Sequence, residues 1–225
     1  MRGSRRVLTA VGIALVAAGL LVPLSAILLQ NVTDQLTEGA QQKLAEDTRL
    51  TEDPTLLTEG SVQADSSSTE AVEDSVSPKA IAKLRIPRFG SDWVRVVYEG
   101  TSISRVLTPL GVGHYTGTSM PGQPGNFALA AHRAGSGGPF RHIDKFRSGD
   151  LVFVETASHR FTYRYLESVV VEPDAVGVIA PLPVGLTKFA ANNSYLTLTS
   201  CTPIHVNTQR IAAWFELIEA RELAN

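Results

Sequence analysis

Cysteine is almost missing from this chain: Cys201 is the only one in 225 residues. An intramolecular disulfide is therefore impossible, and thiolate-rich zinc sites of the Cys₄ kind are excluded. The five histidines (His114, His132, His142, His159, His205) show neither HExxH nor paired ligand spacing, so no metal and no cofactor is expected. Excess charge is missing too. A net charge of -2 and a pI near 6.2 give no electrostatic footprint for nucleic acid, and no nucleic-acid partner is expected. There is no internal repeat, no sign of a second globular domain, and no second long apolar run near the C-terminal end.

What is present falls into three stretches. Val7 to Leu29 carries no charge, and 23 helical residues reach about 35 Å, enough for a hydrocarbon core of about 30 Å. Arg2, Arg5 and Arg6 precede it, so the positive-inside rule puts the N-terminus in the cytoplasm. Residues 1–30 are read as a cytoplasmic end and transmembrane signal anchor, giving a single-pass protein of the cell membrane with its domain outside. A cleaved signal peptide is the alternative, although its apolar core is usually about 7–15 residues. Residues 31–78 are read as a flexible acidic stalk. Nine acidic residues lie between Glu46 and Asp74 against one basic residue, Arg49, and such a segment cannot bury enough apolar surface to order itself. A helix is conceivable over Asn31–Leu50, but its apolar face is thin.

Residues 79–225 have a different texture, with 44% hydrophobic residues in the whole chain supplying a core. Ile81–Ile86, Trp93–Tyr98, Asn126–His132, Leu151–Glu155, Arg160–Tyr165, Val169–Val171, Tyr195–Cys201 and Ile211–Ile218 read as short strands, and Gly111–Tyr115 as a strand or turn. Pro/Gly loops such as Thr118–Gly125 separate them. About eight strands with few helices predict an all-β closed barrel.

Within that pattern Cys201 sits at the end of a strand stopped by Pro203. Leu196, Leu198 and Ser200 face one way, and Tyr195, Thr197, Thr199 and Cys201 the other. His132 ends another strand and Arg210 begins the last. A thiol needs a proton acceptor to attack a carbonyl, an imidazole moves that proton, and a guanidinium holds an oxyanion. Spacing alone does not bring the three together. Their bland readings are a small buried cysteine, a hydrogen-bonded strand-end histidine and a surface arginine.

The runs Asn126-Phe-Ala-Leu-Ala-Ala-His-Arg133 and Thr197-Leu-Thr-Ser-Cys-Thr-Pro203, with Arg210 after them, resemble the sortases, membrane-anchored cysteine transpeptidases of Gram-positive cell walls. Gly113-His-Tyr115, Pro121-Gly-Gln-Pro-Gly125, Pro139-Phe140 and Gly149-Asp150 add to the match, and the likeness is greatest to class E. The resemblance covers about residues 80–220. It implies an eight-stranded sortase-type β-barrel with short helices. It also implies a hydrolase-like cysteine protease chemistry: His132, Cys201 and Arg210 cleave the Thr–Gly bond of an LPXTG- or LAXTG-like sorting signal. A thioacyl intermediate then passes to a cell-wall amine of peptidoglycan or its precursor. Tyr115, Ala131, Ser200, Thr202, Val178 and Ile179 are the implied substrate-binding residues, and sorting-signal-bearing surface proteins are the implied partners. Val176, Pro181 and Leu182, in the connection Glu172–Asn193, are further candidate contacts. Ser200 departs from the threonine usual before the cysteine. Residues 113–125 hold no Asp or Glu, so no calcium dependence is expected. Two other readings are a pilin-polymerising sortase and a non-catalytic extracytoplasmic barrel that binds wall peptides.

Overall fold

Alternation decides which face of each strand is buried, and a closed sheet removes the edges such strands would otherwise expose. In the computed structural model, which describes residues 28–50, 77–187 and 194–224, eight strands close on one another. They are β1 (Ala80–Arg85), β2 (Val94–Glu99), β3 (Val112–His114), β4 (Gly125–Ala131), β5 (Leu151–Glu155), β6 (His159–Val171), β7 (Ser194–Thr202) and β8 (Gln209–Glu222). The order around the barrel is β1-β2-β3-β4-β7-β8-β6-β5, and β5 returns to β1. The β2/β3 and β4/β7 pairs are parallel.

The closed eight-stranded barrel agrees with the sequence reading. The expected hairpin is β5–β6, but β6 runs on through Val169–Val171 as one strand. Irregularities at Thr162/Tyr163 and Tyr165/Glu167 let it stay paired with β8 as it bends. The expected membrane span lies outside the described residues, apart from Leu28 and Leu29. Among the described residues no helix is long and apolar enough to cross a membrane.

The barrel interior is filled by one face of each strand. Phe127, Leu129 and Ala131 of β4, Leu196 and Leu198 of β7, and Ile211, Ala213 and Phe215 of β8 belong to this core. Residues of opposite parity on β7 and β8 lie outside the barrel, where Tyr195, Ala212 and Trp214 pack with Leu166, Val178 and Leu186. The outer face of β4, β7 and β8 is therefore roofed over one part of its length by the β6–β7 connection. Beyond the roof it carries the strand ends where His132, Cys201 and Arg210 stand.

The expected spacer begins differently from its reading as a flexible segment. Residues 28–47 form a helix, α1, laid on the outside of β2. Ala45 is buried among Val94, Val96, Tyr98 and Val106. The remaining contacts are polar. Gln42 accepts from the Val94 amide at 3.2 Å and from Arg95 Nη1 at 2.8 Å, and Glu38 takes Arg95 Nη2 at 3.3 Å. Arg95 itself is buried and lies over the Trp93 ring, its guanidinium carbon 4.9 Å from the centroid. Most of the acidic run, residues 51–76, lies outside the described residues.

Candidate active site

Parallel register places the three candidate residues. β4 and β7 pair in register from Gly125↔Ser194 to Ala130↔Thr199. In such a pair residues of matched parity share a face, so Ala128 and Ala130 lie on the outer face with Thr197 and Thr199. Two residues further, the same row reaches His132 and Cys201. On the other side of β7, Cys201 is the direct register partner of Arg210. His132, Cys201 and Arg210 thus stand in one row across three adjacent strands, where β4 and β7 end and β8 begins. Nothing in local sequence reveals this, because His132 and Cys201 are far apart along the chain.

Each is partly open to solvent. His132 Nε2 lies 3.3 Å from Thr108 Oγ1, in the turn after the short helical segment Ile103–Leu107. Its half-buried position lowers the imidazole pKa below the ordinary 6.5, because burial penalises the charged form. Burial therefore favours the neutral imidazole. Cys201 carries a free thiol. Arg210 Nη1 donates to the carbonyls of Asn207 at 3.1 Å and Gln209 at 2.9 Å, which fixes the guanidinium over the β7–β8 connection. A nucleophile, a neutral proton carrier and a fixed cation in one row can attack an acyl carbon, move a proton and stabilise an oxyanion.

From this row the outer face continues between two flanking segments, a candidate substrate channel. Next to the row its floor is Ala130 and Thr199, small residues that keep a little exposed surface, while Ala128 and Thr197 further along are fully covered. Tyr115 crosses over β4 and its hydroxyl meets Thr199 Oγ1 at 3.0 Å, so it flanks the floor one step below Cys201. Its backbone amide donates to Ala128 O at 2.9 Å. The opposite wall is the helical turn Val176–Ile179 together with Ala180 to Leu182. Two bonds hold that wall down: Trp214 Nε1 to Val178 O at 3.0 Å, and Asn126 Nδ2 to Ala180 O at 3.0 Å. Asn126 is set in turn by Thr197 Oγ1, which donates to Asn126 Oδ1 at 2.8 Å. Val176 and Leu182 are exposed on this wall.

Four of the expected substrate contacts have other duties. Ser200 lies on the interior face, buried, and its hydroxyl donates to Ala131 O at 2.8 Å, stitching β7 to β4 below the row. Ala131 is in the barrel core. Thr202 is buried and receives Arg133 Nη1 at 2.6 Å. Val178 is buried against Trp214 and its neighbours, so it supports the wall from behind. Their side chains are engaged within the protein, because alternation turns 131 and 200 inward while packing uses 178 and 202. Tyr115 and Ile179 remain at the channel, Ile179 only partly buried.

Two residues beside the row escape a reading of the sequence. Thr108 touches His132 from a segment that shows no motif. Arg133 stands out in sequence only as the residue after His132. It is buried, spans from Thr202 Oγ1 to Asp144 Oδ1 at 3.0 Å, and so ties the ends of β4 and β7 to the turn Ile143–Lys145.

Known proteins resemble this chain over its barrel domain. A family model described as "Sortase domain" matches residues 84–218. Sortase SrtE1 of Streptomyces coelicolor is 38% identical over 149 residues, covering 64% of this chain and 42% of that protein. Sortase SrtE2 of the same organism is 32% identical over 152 residues, covering 64% of this chain and 58% of that one. The chain thus spans about half the length of the curated relatives it matches. Among solved structures, sortase E1 from Streptomyces coelicolor with a tripeptide in the active site matches with TM-score 0.60 and 36% identity, over 64% of this chain and 91% of that one. Sortase E from Streptomyces avermitilis matches with TM-score 0.57 and 36% identity, over the same shares.

Proposed function

This chain belongs to the sortase family, and from that premise we propose that it is a class E-like cysteine transpeptidase that cuts a sorting signal of the LPXTG or LAXTG kind and joins the carried protein to a cell-wall amine. The observation that carries the proposal is the single row of His132, Cys201 and Arg210, built on the Cys201↔Arg210 register pair.

The chemistry rests on the row. Cys201 Sγ attacks the threonine carbonyl carbon of the signal. As the carbon–sulfur bond forms, the thiol proton passes to His132, which is neutral because burial lowers its pKa. Negative charge gathers on the carbonyl oxygen, and the Arg210 guanidinium, held by the Asn207 and Gln209 carbonyls, donates to it. The tetrahedral carbon then expels the glycine nitrogen, which takes the proton from His132. A thioacyl enzyme is left. An acceptor amine attacks that thioester, gives its proton to His132, and a new amide forms as the carbon–sulfur bond breaks. The proton returns to the thiolate, so the enzyme ends as it began.

The channel beneath Cys201 suits an extended peptide. Small side chains at Ala130 and Thr199 leave room for a backbone next to Cys201, and Tyr115 and the wall at Ile179 flank it. The uncharged run Val7–Leu29 behind three arginines supports tethering at the outer face of a cell membrane. That placement supplies both surface proteins and a wall-precursor amine.

The test is cleavage of quenched peptides by the full chain, with Pro or Ala at the second signal position and a small amine as acceptor. Wild type is expected to cleave one of the two and to form an amide with the acceptor, and Cys201→Ala to do neither. Peptide binding without cleavage by wild type would favour the wall-peptide-binding barrel instead.

A further inference from the structure

His132 stands at a strand end, so its position depends on the segments on either side of it. On its C-terminal side the chain enters a loop of unusual backbone. Gly135, Ser136, Gly137 and Gly138 all have positive φ, at 72°, 52°, 76° and 50°. Serine adopts that conformation at a cost, so the surroundings must hold it. Within the loop, Gly138 N donates to Gly135 O at 2.8 Å, and Phe140 N returns to His132 O at 3.0 Å. The other flank of His132 is the turn that carries Thr108 and ends at Gly111, with φ of 102°.

Helix α1 touches both. Gln41 is buried on its inner face, and its Nε2 donates to Ser136 O at 3.3 Å, the carbonyl of the strained serine. A β-carbon at Gly111 would stand 2.9 Å from the same Gln41 side chain, and one at Gly137 would stand 3.0 Å from the Glu38 backbone nitrogen. Positive φ together with contacts this close favours glycine at both places. An ion pair between Asp34 and Arg141 anchors α1 just beyond the loop. Gln42, Glu38 and the buried Arg95 anchor it at β2.

We propose that α1 is a working part of the active site, and that Gln41 is a positioning residue for His132, acting through the Arg133–Gly138 loop on one side and the Thr108–Gly111 turn on the other. The segment between the apolar N-terminal run and the acidic stretch is then more than a spacer. Its docking sets how deeply the imidazole is held, and a chain cut after residue 50 loses that control. The catalytic consequence rests on His132 being the proton carrier of the proposed reaction; the structural one does not.

Gln41→Glu in the full chain keeps the size of the side chain and removes its donor to Ser136 O. Amide hydrogen exchange at Gly138 and Phe140 is expected to rise about tenfold. The His132 imidazole, followed by NMR, is expected to titrate closer to the ordinary 6.5, since looser packing relieves its burial. Turnover of the signal peptide is expected to fall about tenfold with KM nearly unchanged, because small misplacements of a reacting group cost rate. Unchanged exchange together with an unchanged His132 titration overturns the proposal, whether or not any peptide is cleaved. Faster exchange with an unmoved titration and unmoved turnover also overturns it, leaving α1 a structural prop. If wild type cleaves no peptide, the transpeptidase reading falls, and exchange and titration alone decide this one. Should Gln41→Glu fail to fold, Asp34→Asn loosens the helix from the Arg141 end and is expected to move the same three readouts in the same directions.

Discussion

Cys201 and Arg210 face each other as direct register partners across β7 and β8, so the thiol and the guanidinium are set by the sheet itself. The loop between them adjusts only the arginine's tip, through the Asn207 and Gln209 carbonyls. A planar fork can donate to two carbonyls and still present a donor outward, whereas an ammonium offers a single point of charge.

Arg210→Ala is therefore expected to lower kcat for the signal peptide by about 10²–10³-fold, the usual loss on removing one oxyanion donor. Arg210→Lys should recover only part of it. On the proposed mechanism, in which the arginine acts on the oxyanion and the thiol has its own strand position, the rate of Cys201 alkylation by iodoacetamide is expected to stay within about twofold of wild type. An equal loss of alkylation and turnover would instead make Arg210 a thiol-activating group.

Some of this is legible in the chain and some is not, for physical reasons. Strands β7 and β8 announce themselves, since Leu196 and Leu198 alternate with Thr197 and Thr199, and Pro203 stops the ladder. The inward turn of Ser200 comes from the same alternation, which already separates it from Cys201. The parallel pairing of β4 with β7 is a long-range choice with no local trace, so only the family resemblance joins His132 to Cys201 in advance. Helix α1 is hidden for another reason. Its contact side includes Asp34, Gln41 and Gln42, residues that read as solvated. Their partners are backbone groups and the arginines 95 and 141, which hydropathy does not register. Thr108 lies in a turn with no motif, and only its contact with His132 marks it.

Arg133 links the two strand ends that carry His132 and Cys201. It donates to Thr202 Oγ1 and pairs with Asp144. Arg133→Met is expected to cost about 2 kcal/mol of stability, the range for hydrogen bonds to charged groups. Thr202→Val leaves a buried guanidinium nitrogen without its acceptor and should cost about 1–3 kcal/mol. The double variant should be less destabilised than the sum of the singles, which urea unfolding of all four proteins will measure.

The wall of the channel depends on Trp214, whose Nε1 donates to Val178 O. Trp214→Phe keeps an aromatic ring in the pocket of Leu166, Val178 and Leu186, but removes the donor and part of a fully buried bicycle. Stability is expected to fall by about 2–4 kcal/mol, the lost hydrogen bond together with the cavity left behind. On the proposed reading, in which the wall contacts peptide and not the reacting carbonyl, the larger effect should be on KM, raised several-fold with kcat little changed. A fall in kcat at constant KM would show that the wall also sets the row.

Acid should destabilise the domain in two steps with different owners. His132 in the folded chain holds its proton only below the ordinary 6.5, since burial disfavours the cation, while the unfolded chain takes the proton near that value. Between those two points unfolding binds a proton, so stability falls as pH falls. His132→Gln should flatten the melting temperature across this window and leave the rest of the curve alone. Burial pushes Glu99 upward, but hydrogen bonds from His114 and Thr116 outweigh it and leave the carboxyl below its usual 4.5. Asp144 shows the same pattern: burial raises it, and Lys145 and Arg133 bring it below 3.8. Their stabilising contribution is present above the unfolded values and is lost as pH drops through the lower, folded ones. Glu99→Gln should therefore flatten the melting curve only below about pH 4.5, the unfolded glutamate value. Melting temperatures from about pH 3 to 8 for wild type, His132→Gln and Glu99→Gln separate the two steps. If the histidine variant changed only the lower step, burial of His132 would not be what disfavours its charge.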